Sequence, residues 1–174
     1  MKKKIGIHWF RNDLRTIDNP SLNHLSRNYE NVLGVYIFDE VNTDPKLGSA
    51  SKVWLNHSLK YLKKQLNGNL IILKGNPKEC FDELINFFDV QEVSWNRCYE
   101  PWIIKRDKSL KIYLNEKIKV NSFNGSLLWE PWEILKNDGT PYKVFTPFYK
   151  RGCLSAPSPR IPKSEKINFF NHDF

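Results

Sequence analysis

Residues Ile5-Gly-Ile-His-Trp-Phe-Arg-Asn-Asp-Leu-Arg-Thr-Ile-Asp-Asn-Pro20 join an apolar run to a cluster of opposite charges. Ile5 to Phe10 is rich in β-branched and aromatic side chains, which suits a central strand buried on both faces. Arg11, Asp13 and Arg15 follow at alternate positions, so an extended segment would point all three the same way. Asp18 or Asn19 can cap the next helix, with Pro20 in its first turn, where a missing N–H costs nothing. In an open α/β sheet, ligands gather beyond the carboxyl ends of the strands, which puts a site near Arg11. Two readings stand for the charges: a ligand site, or an ion-pair network that only fixes the loop.

The rest of the chain repeats the unit. Asn31 to Phe38 reads as a second buried strand ending in Asp39 and Glu40, and Thr43 to Gly48 as a loop. Ser49 or Ser51 then caps a helix in which Leu55, Leu59, Leu62 and Leu66 recur at helical spacing, stopped by Asn67-Gly68. Leu70 to Leu73 gives a third strand, followed by a helix with Phe81, Leu84, Ile85 and Phe88 on one face. Gln91 to Asn96 is the fourth strand, Trp102 to Asn115 a helix opened by Pro101, and Ile118 to Phe123 the fifth strand. This alternation predicts an α/β, Rossmann-like open parallel five-stranded sheet with helices on both faces.

From Asn124 the pattern breaks into Gly, Pro and the aromatics Trp129, Trp132, Tyr142, Phe145, Phe148 and Tyr149, which need a covering surface. Ser155 to Ser164 holds Pro157, Pro159 and Pro162 and reads as a stiff exposed linker. The division expected is a sheet domain over 1–130 and an irregular connector over 131–174. That connector points to a domain beyond Phe174, and exposed aromatics predict self-association of the isolated piece.

The 174 residues suffice for one domain with a real core, and 40% hydrophobic content with eleven Phe, seven Tyr and six Trp excludes a mainly disordered chain. The formal charge of +8 allows attraction to polyanions, and Lys143, Lys150 and Arg151 are candidates for phosphate contact or plain solvated charge. Cys80, Cys98 and Cys153 form neither a disulfide framework nor a zinc pattern, which fits a cytoplasmic protein. Met1-Lys-Lys-Lys resembles the start of a signal peptide, but Arg11 ends the apolar run too early for export, and no stretch reaches membrane-spanning length. The Gly-x-Gly-x-x-Gly, P-loop and Gly-x-Ser-x-Gly motifs are all missing, and His8, His24, His57 and His172 lack metal-ligand spacing.

Four stretches in register resemble the photolyase and cryptochrome family. They are Trp9-Phe-Arg-Asn-Asp-Leu-Arg15 with Asp18-Asn-Pro20; Val93-Ser-Trp-Asn-Arg-Cys-Tyr-Glu-Pro-Trp102 with Arg106-Asp107; Ser122 to Pro131; and Pro141 to Tyr149. The resemblance implies an antenna-binding α/β domain, joined by the connector to a helical domain that holds FAD. In repair members, light-excited reduced FAD splits a pyrimidine dimer flipped out of damaged DNA. The residues for that chemistry lie in the helical domain, so no catalytic residue is assigned here and this chain alone is expected to be inactive.

The same resemblance implies an antenna pigment, such as methenyltetrahydrofolate, a deazaflavin or FMN. Strand-end polar groups and nearby aromatics suit a planar chromophore. The candidates are Phe10 and Arg11, Phe38 and Asp39, and Asn96, Arg97, Tyr99, Glu100 and Trp102. Folate-binding members carry Asn-Glu two residues beyond the matching Tyr-Glu, where this chain has Trp102-Ile103, which departs from that mode of folate binding. Two rivals remain: a cryptochrome photoreceptor, and a free-standing nucleotide-binding or electron-transfer domain that shares only the fold. The plain Trp-Asn-Arg-x-Tyr-Glu-Pro form is more similar to bacterial repair enzymes.

Overall fold

The computed structural model describes residues 4–42 and 46–174. Met1 to Lys3 and the first half of the loop expected from Thr43 to Gly48 lie outside the described residues. Contacts divide the chain into a sheet unit, 1–125 with 163–174, and a smaller unit, 126–162.

The sheet unit contains β1 (Lys4–Phe10), α1 (Pro20–Asn28), β2 (Asn31–Phe38), α2 (Ser49–Gln65) and β3 (Leu70–Lys74). It continues with α3 (Pro77–Phe87), β4 (Asp89–Asn96), α4 (Pro101–Asn115) and β5 (Lys119–Phe123). All strand pairs are parallel, in the order β3-β2-β1-β4-β5. The chain therefore runs outward from β1 to β3, returns over the sheet through α3, and runs outward again. Right-handed crossovers put α1 and α2 on one face and α3 and α4 on the other.

Side-chain alternation sorts the two cores. Ile5, Ile7 and Trp9 pack with Leu33, Val35, Val93 and Trp95 against Phe81, Leu84, Leu110 and Leu114. Phe10 and Val32 face the other way, toward Leu22, Leu25, Leu59, Leu62 and Leu66. On that second face the helices come close because two strand positions lack a side chain. A Cβ on Gly6 would stand 2.7 Å from Leu25 Cδ2, and one on Gly34 would stand 2.6 Å from Leu66 Cδ2 and 3.2 Å from Phe10.

Helix ends follow local chemistry. Asn19, rather than Asp18, caps α1, its side chain accepting from Leu22 N–H at 3.2 Å, with Pro20 in the first turn. The α2 cap differs from expectation: Gly48 occupies it, without a side-chain bond, and Ser49 is already helical, so neither Ser49 nor Ser51 serves. Asn67 and Gly68 stop the chain after α2 with φ of 52° and 88°, the left-handed turn that Asn-Gly suits.

The last residues depart from a connector that runs to 174. β3 pairs with β2 only from Gly34 onward, which leaves the first residues of β2 open on that side. The tail fills the gap: Val32 N–H donates to Asn168 O at 3.0 Å and Phe170 N–H to Val32 O at 2.8 Å. Ile167 and Phe169 then reach one core and Phe170 the other.

The smaller unit is irregular, as read from its composition. One helical turn at Phe145–Pro147 runs into a π-helical stretch, Phe148–Gly152, and a tight turn, Cys153–Ser155. Gly152 lies where a Cβ would stand 2.7 Å from Ile134 and 3.2 Å from Tyr142, and Trp129 Nε1 donates to Pro157 O at 2.8 Å. Among the described residues, no helix is long and apolar enough to cross a membrane.

Because Gly34 is pressed between Leu66 and Phe10, Gly34→Ala should cost about 1–3 kcal/mol by overpacking. Urea unfolding would report a lower midpoint with an unchanged slope; an unchanged midpoint would mean α2 is not seated on that strand.

Candidate functional site

The chain reverses direction across the sheet between β1 and β4, the usual ligand crevice of such folds. Here side chains fill it. His8 Nδ1 lies 2.8 Å from Ser21 Oγ, which lies 2.7 Å from Ser94 Oγ. Asn96 donates to Asp13 Oδ2 at 2.5 Å and Asn19 Oδ1 at 2.7 Å, and accepts from Ser21 N–H at 3.2 Å. Gly125 seals this plug, since a Cβ there would stand 2.5 Å from Asn96. His8 is wholly buried. Desolvation, opposed by Asp13 and aided by Arg11 and Arg15, pushes its pKa down to about 4, so the ring is neutral at pH 7.

Arg11, Asp13 and Arg15 do fix the loop, but not by pairing their side chains with one another. Asp13 Oδ1 accepts from the Arg11 N–H at 3.0 Å. Arg15 grips the carbonyls of Ile17, Asp18 and Gly125 at 3.1, 2.9 and 2.6 Å. This holds Asp18 at φ 47°, a left-handed conformation that Asp tolerates better than most residues.

Arg11 instead crosses to α4 and pairs with Asp107. Asp107 also accepts from Arg106 at 2.7 Å, and Arg106 reaches Asp39 at 3.2 Å. Asp39 closes its own turn by accepting the backbone N–H groups of Val41 and Asn42 at 3.1 and 2.9 Å. The result is one line of alternating charges, Arg11–Asp107–Arg106–Asp39, from the end of β1 over α4 to the end of β2.

A cavity of about 380 Å³ opens beside this line. Trp9, Tyr36, Phe38, Trp102 and Ile103 are among its apolar walls, and Arg11, Asp39, Glu40, Lys52, Glu100 and Arg106 among its polar lining. The Arg11 and Arg106 guanidiniums stand 5.2 and 4.7 Å from the centre of the Trp9 ring, and Arg106 also 5.4 Å from that of Trp102. Burial holds the Tyr36 phenol above its ordinary pKa, with Arg106 opposing, so Tyr36 stays protonated. Three buried donors of the lining residues, Trp9 Nε1 and Arg11 Nε and Nη2, have no hydrogen-bond partner among the described residues. Donors left unmet in this way cost stability, and so mark a place where an acceptor-bearing ligand gains.

A larger cavity, about 610 Å³, lies at the amino ends of the strands, but its buried acid is already satisfied. Glu92 accepts from Tyr29 at 3.1 Å and Asn121 at 2.9 Å and meets His24 at 2.8 Å. Burial, with Glu92 beside it, raises the Tyr29 phenol to about 12. Among the described residues, no group of His, Cys, Asp and Glu is placed to hold a metal ion.

Of the nine residues singled out in the sequence, the cavity brings together Arg11, Phe38, Asp39, Glu100 and Trp102. Phe10 points into the α1/α2 core instead, because neighbouring strand residues face opposite ways. Asn96 belongs to the plug, and Arg97 turns to Ser122 O at 2.5 Å. Tyr99 is outside the lining. Trp9, Tyr36 and Arg106 were not singled out for the site. Arg106 was within reach of sequence reasoning, since it lies four residues after Trp102 and so shares its helix face.

The family model for DNA photolyase matches residues 6–165. The chain belongs to the DNA photolyase family. Among its photolyase relatives is the deoxyribodipyrimidine photo-lyase of Agrobacterium fabrum, 36% identical over 93% of this chain and 37% of that protein. Cryptochrome-1 of Arabidopsis thaliana is 34% identical over 94% of this chain and 25% of its own length. The chain thus spans well under half of either relative. A bacterial class III photolyase structure from Agrobacterium tumefaciens aligns with a TM-score of 0.79 at 34% identity, covering 95% of this chain and 38% of the other. An archaeal photolyase from Sulfolobus tokodaii, described with two FAD molecules and an implied light-harvesting cofactor, shares the fold at TM-score 0.77 and 22% identity, over 97% and 39% of the two chains.

The neutral His8 of this photolyase-family plug carries a pH signature. Its folded pKa of about 4 lies below the ordinary histidine value of 6.5, so the unfolded chain binds more protons between those values. The stability it contributes is complete above about pH 6.5 and falls by roughly 3 kcal/mol as pH drops through that window. An NMR titration should leave the His8 ring unprotonated down to pH 5; a midpoint near 6.5 would contradict the burial argument.

Proposed function

We propose that the sheet unit is the light-harvesting domain of a DNA photolyase and holds an antenna pigment in the cavity at the ends of β1 and β2. The observation that carries this reading is the set of unmet donors on Trp9 and Arg11 beside aromatic walls. A planar pigment edged with carbonyl or ring-nitrogen acceptors would meet those donors, while Trp102 and Phe38 cover its apolar surface. Methenyltetrahydrofolate, a deazaflavin and FMN all present such an edge. When bound, the pigment would absorb near-UV or blue light and pass the excitation through space to FAD. The protein's part is to fix its position and orientation and to keep water away.

Within the same proposal, FAD and damaged DNA are handled by a helical domain outside residues 1–174, with residues 126–162 as the connector toward it. The activity of the whole protein is then the light-driven splitting of pyrimidine dimers. The similarity to plant cryptochrome supports a second reading, a photoreceptor domain with the same pigment site. Dimer repair by the whole protein separates the two.

Titration of the purified chain with FMN, a deazaflavin and methenyltetrahydrofolate, followed by fluorescence, tests the pigment site. At least one should bind, and Arg11→Gln should weaken it by about tenfold or more, the loss of hydrogen bonds to a charged donor. Trp9→Phe, which keeps an aromatic ring in the core and deletes one donor, should weaken it less. Failure of all three pigments to bind, or unchanged binding in both variants, would overturn the assignment.

A further inference from the structure

A second cavity adjoins the first. It measures about 470 Å³ and lies between the start of α3 and α4, with Trp102 and Arg106 in the lining of both. The two spaces therefore share these two side chains in their walls. Their charge differs. The first is mixed, with Asp39, Glu40 and Glu100 among its basic residues, whereas the second is lined by Lys78, Lys105 and Arg106 and, among the described residues, by no carboxylate. Lys78 Nζ stands 4.1 Å over the Tyr113 ring, which holds it at the cavity wall. Lys78 also sits in the first turn of α3, whose start Asn76 caps by accepting the Lys78 N–H at 3.1 Å.

We propose that this second cavity is an anion subsite, taking the charged tail of the same ligand whose ring occupies the first. The inference rests on the pigment reading above and narrows the class of ligand: a planar ring with an acceptor edge and a phosphate or carboxylate side chain. The ring stacks at Trp102 and meets Arg11 and Trp9, and the tail passes Arg106 to reach Lys78 and Lys105. The shared chemistry is a flexible anion, a phosphate in FMN or a glutamate in a folate. A ring without a charged tail leaves the basic cavity unused.

The test pairs each probe with its tail-less counterpart: FMN with riboflavin, and methenyltetrahydrofolate with methenyltetrahydropteroate, by fluorescence titration at low and moderate salt. For whichever ring binds, the anionic form should bind more tightly, and rising salt should erode that advantage. Lys78→Gln with Lys105→Gln should weaken the anionic form by about tenfold and leave the tail-less form within about twofold. Lys108→Gln, a cation on α4 outside both cavities, should change neither. Both lysines are exposed, so the variant should keep the melting temperature of the parent. Equal affinity of the paired probes, or a double variant that weakens both forms or neither, overturns the tail subsite while leaving the ring site standing. Absence of binding by all four probes overturns the tail subsite, and overturns the pigment reading itself when a deazaflavin also fails to bind.

Discussion

The contact between Arg11 and Asp107 ties the end of the central strand to α4, and the site depends on it. Both side chains are nearly buried, at 6% and 13% exposure, so neither charge is tolerable without the other. Once Asp107 is committed to Arg11, its second oxygen orients Arg106, and Arg106 in turn reaches Asp39. One ion pair thereby sets the spacing of β1, β2 and α4 at their common rim. It also leaves Arg11 with more donors than partners. A guanidinium carries five N–H groups in a rigid fork, and a single carboxylate cannot serve them all.

The polar plug at the β1/β4 crossing explains why the cavity lies to one side of the position that the fold alone would suggest. His8, Ser21, Ser94, Asn19 and Asn96 satisfy one another there, and Gly125 closes the space. The open ground is shifted toward β2, where Gly75 N–H caps Phe38 O at the strand end and Asp39 turns the chain away. A second cavity, lined by Lys78, Lys105 and Arg106, adjoins it at Trp102. The photolyase-family sheet unit thus offers two adjoining spaces of different charge, which a ligand with two chemically different ends would match.

Much of this was legible in the sequence, for identifiable reasons. β2 runs from Asn31 to Phe38 as read, because a pure apolar run bounded by Asn and Asp leaves little choice of ends. The leucines of α2 announce their face, but its start does not follow the Ser preference, since Gly48 reaches the required extended backbone without help. The strand-end rule found Arg11, Phe38 and Asp39. It could not tell which side of the sheet each would serve, and so Phe10, one residue from Arg11, was grouped with the site although its ring belongs to a core. Asn96 and Arg97 share the right strand end but are taken up by contacts across to α1 and β5. The tail from Lys163 was illegible for another reason: a few apolar residues after a proline-rich stretch have no periodicity, and their partner is a gap beside β2 that only the folded sheet creates.

The most direct test of the central claim, that unmet donors on Trp9 and Arg11 receive a pigment edge, is an NMR spectrum of the indole and guanidinium N–H groups with and without saturating pigment. The account predicts that the Trp9 Nε1–H and Arg11 Nε–H signals move downfield on binding and become protected from exchange, while the Trp129 indole, already bonded to Pro157, stays in place. A pigment that binds yet leaves the Trp9 and Arg11 signals unmoved would contradict it.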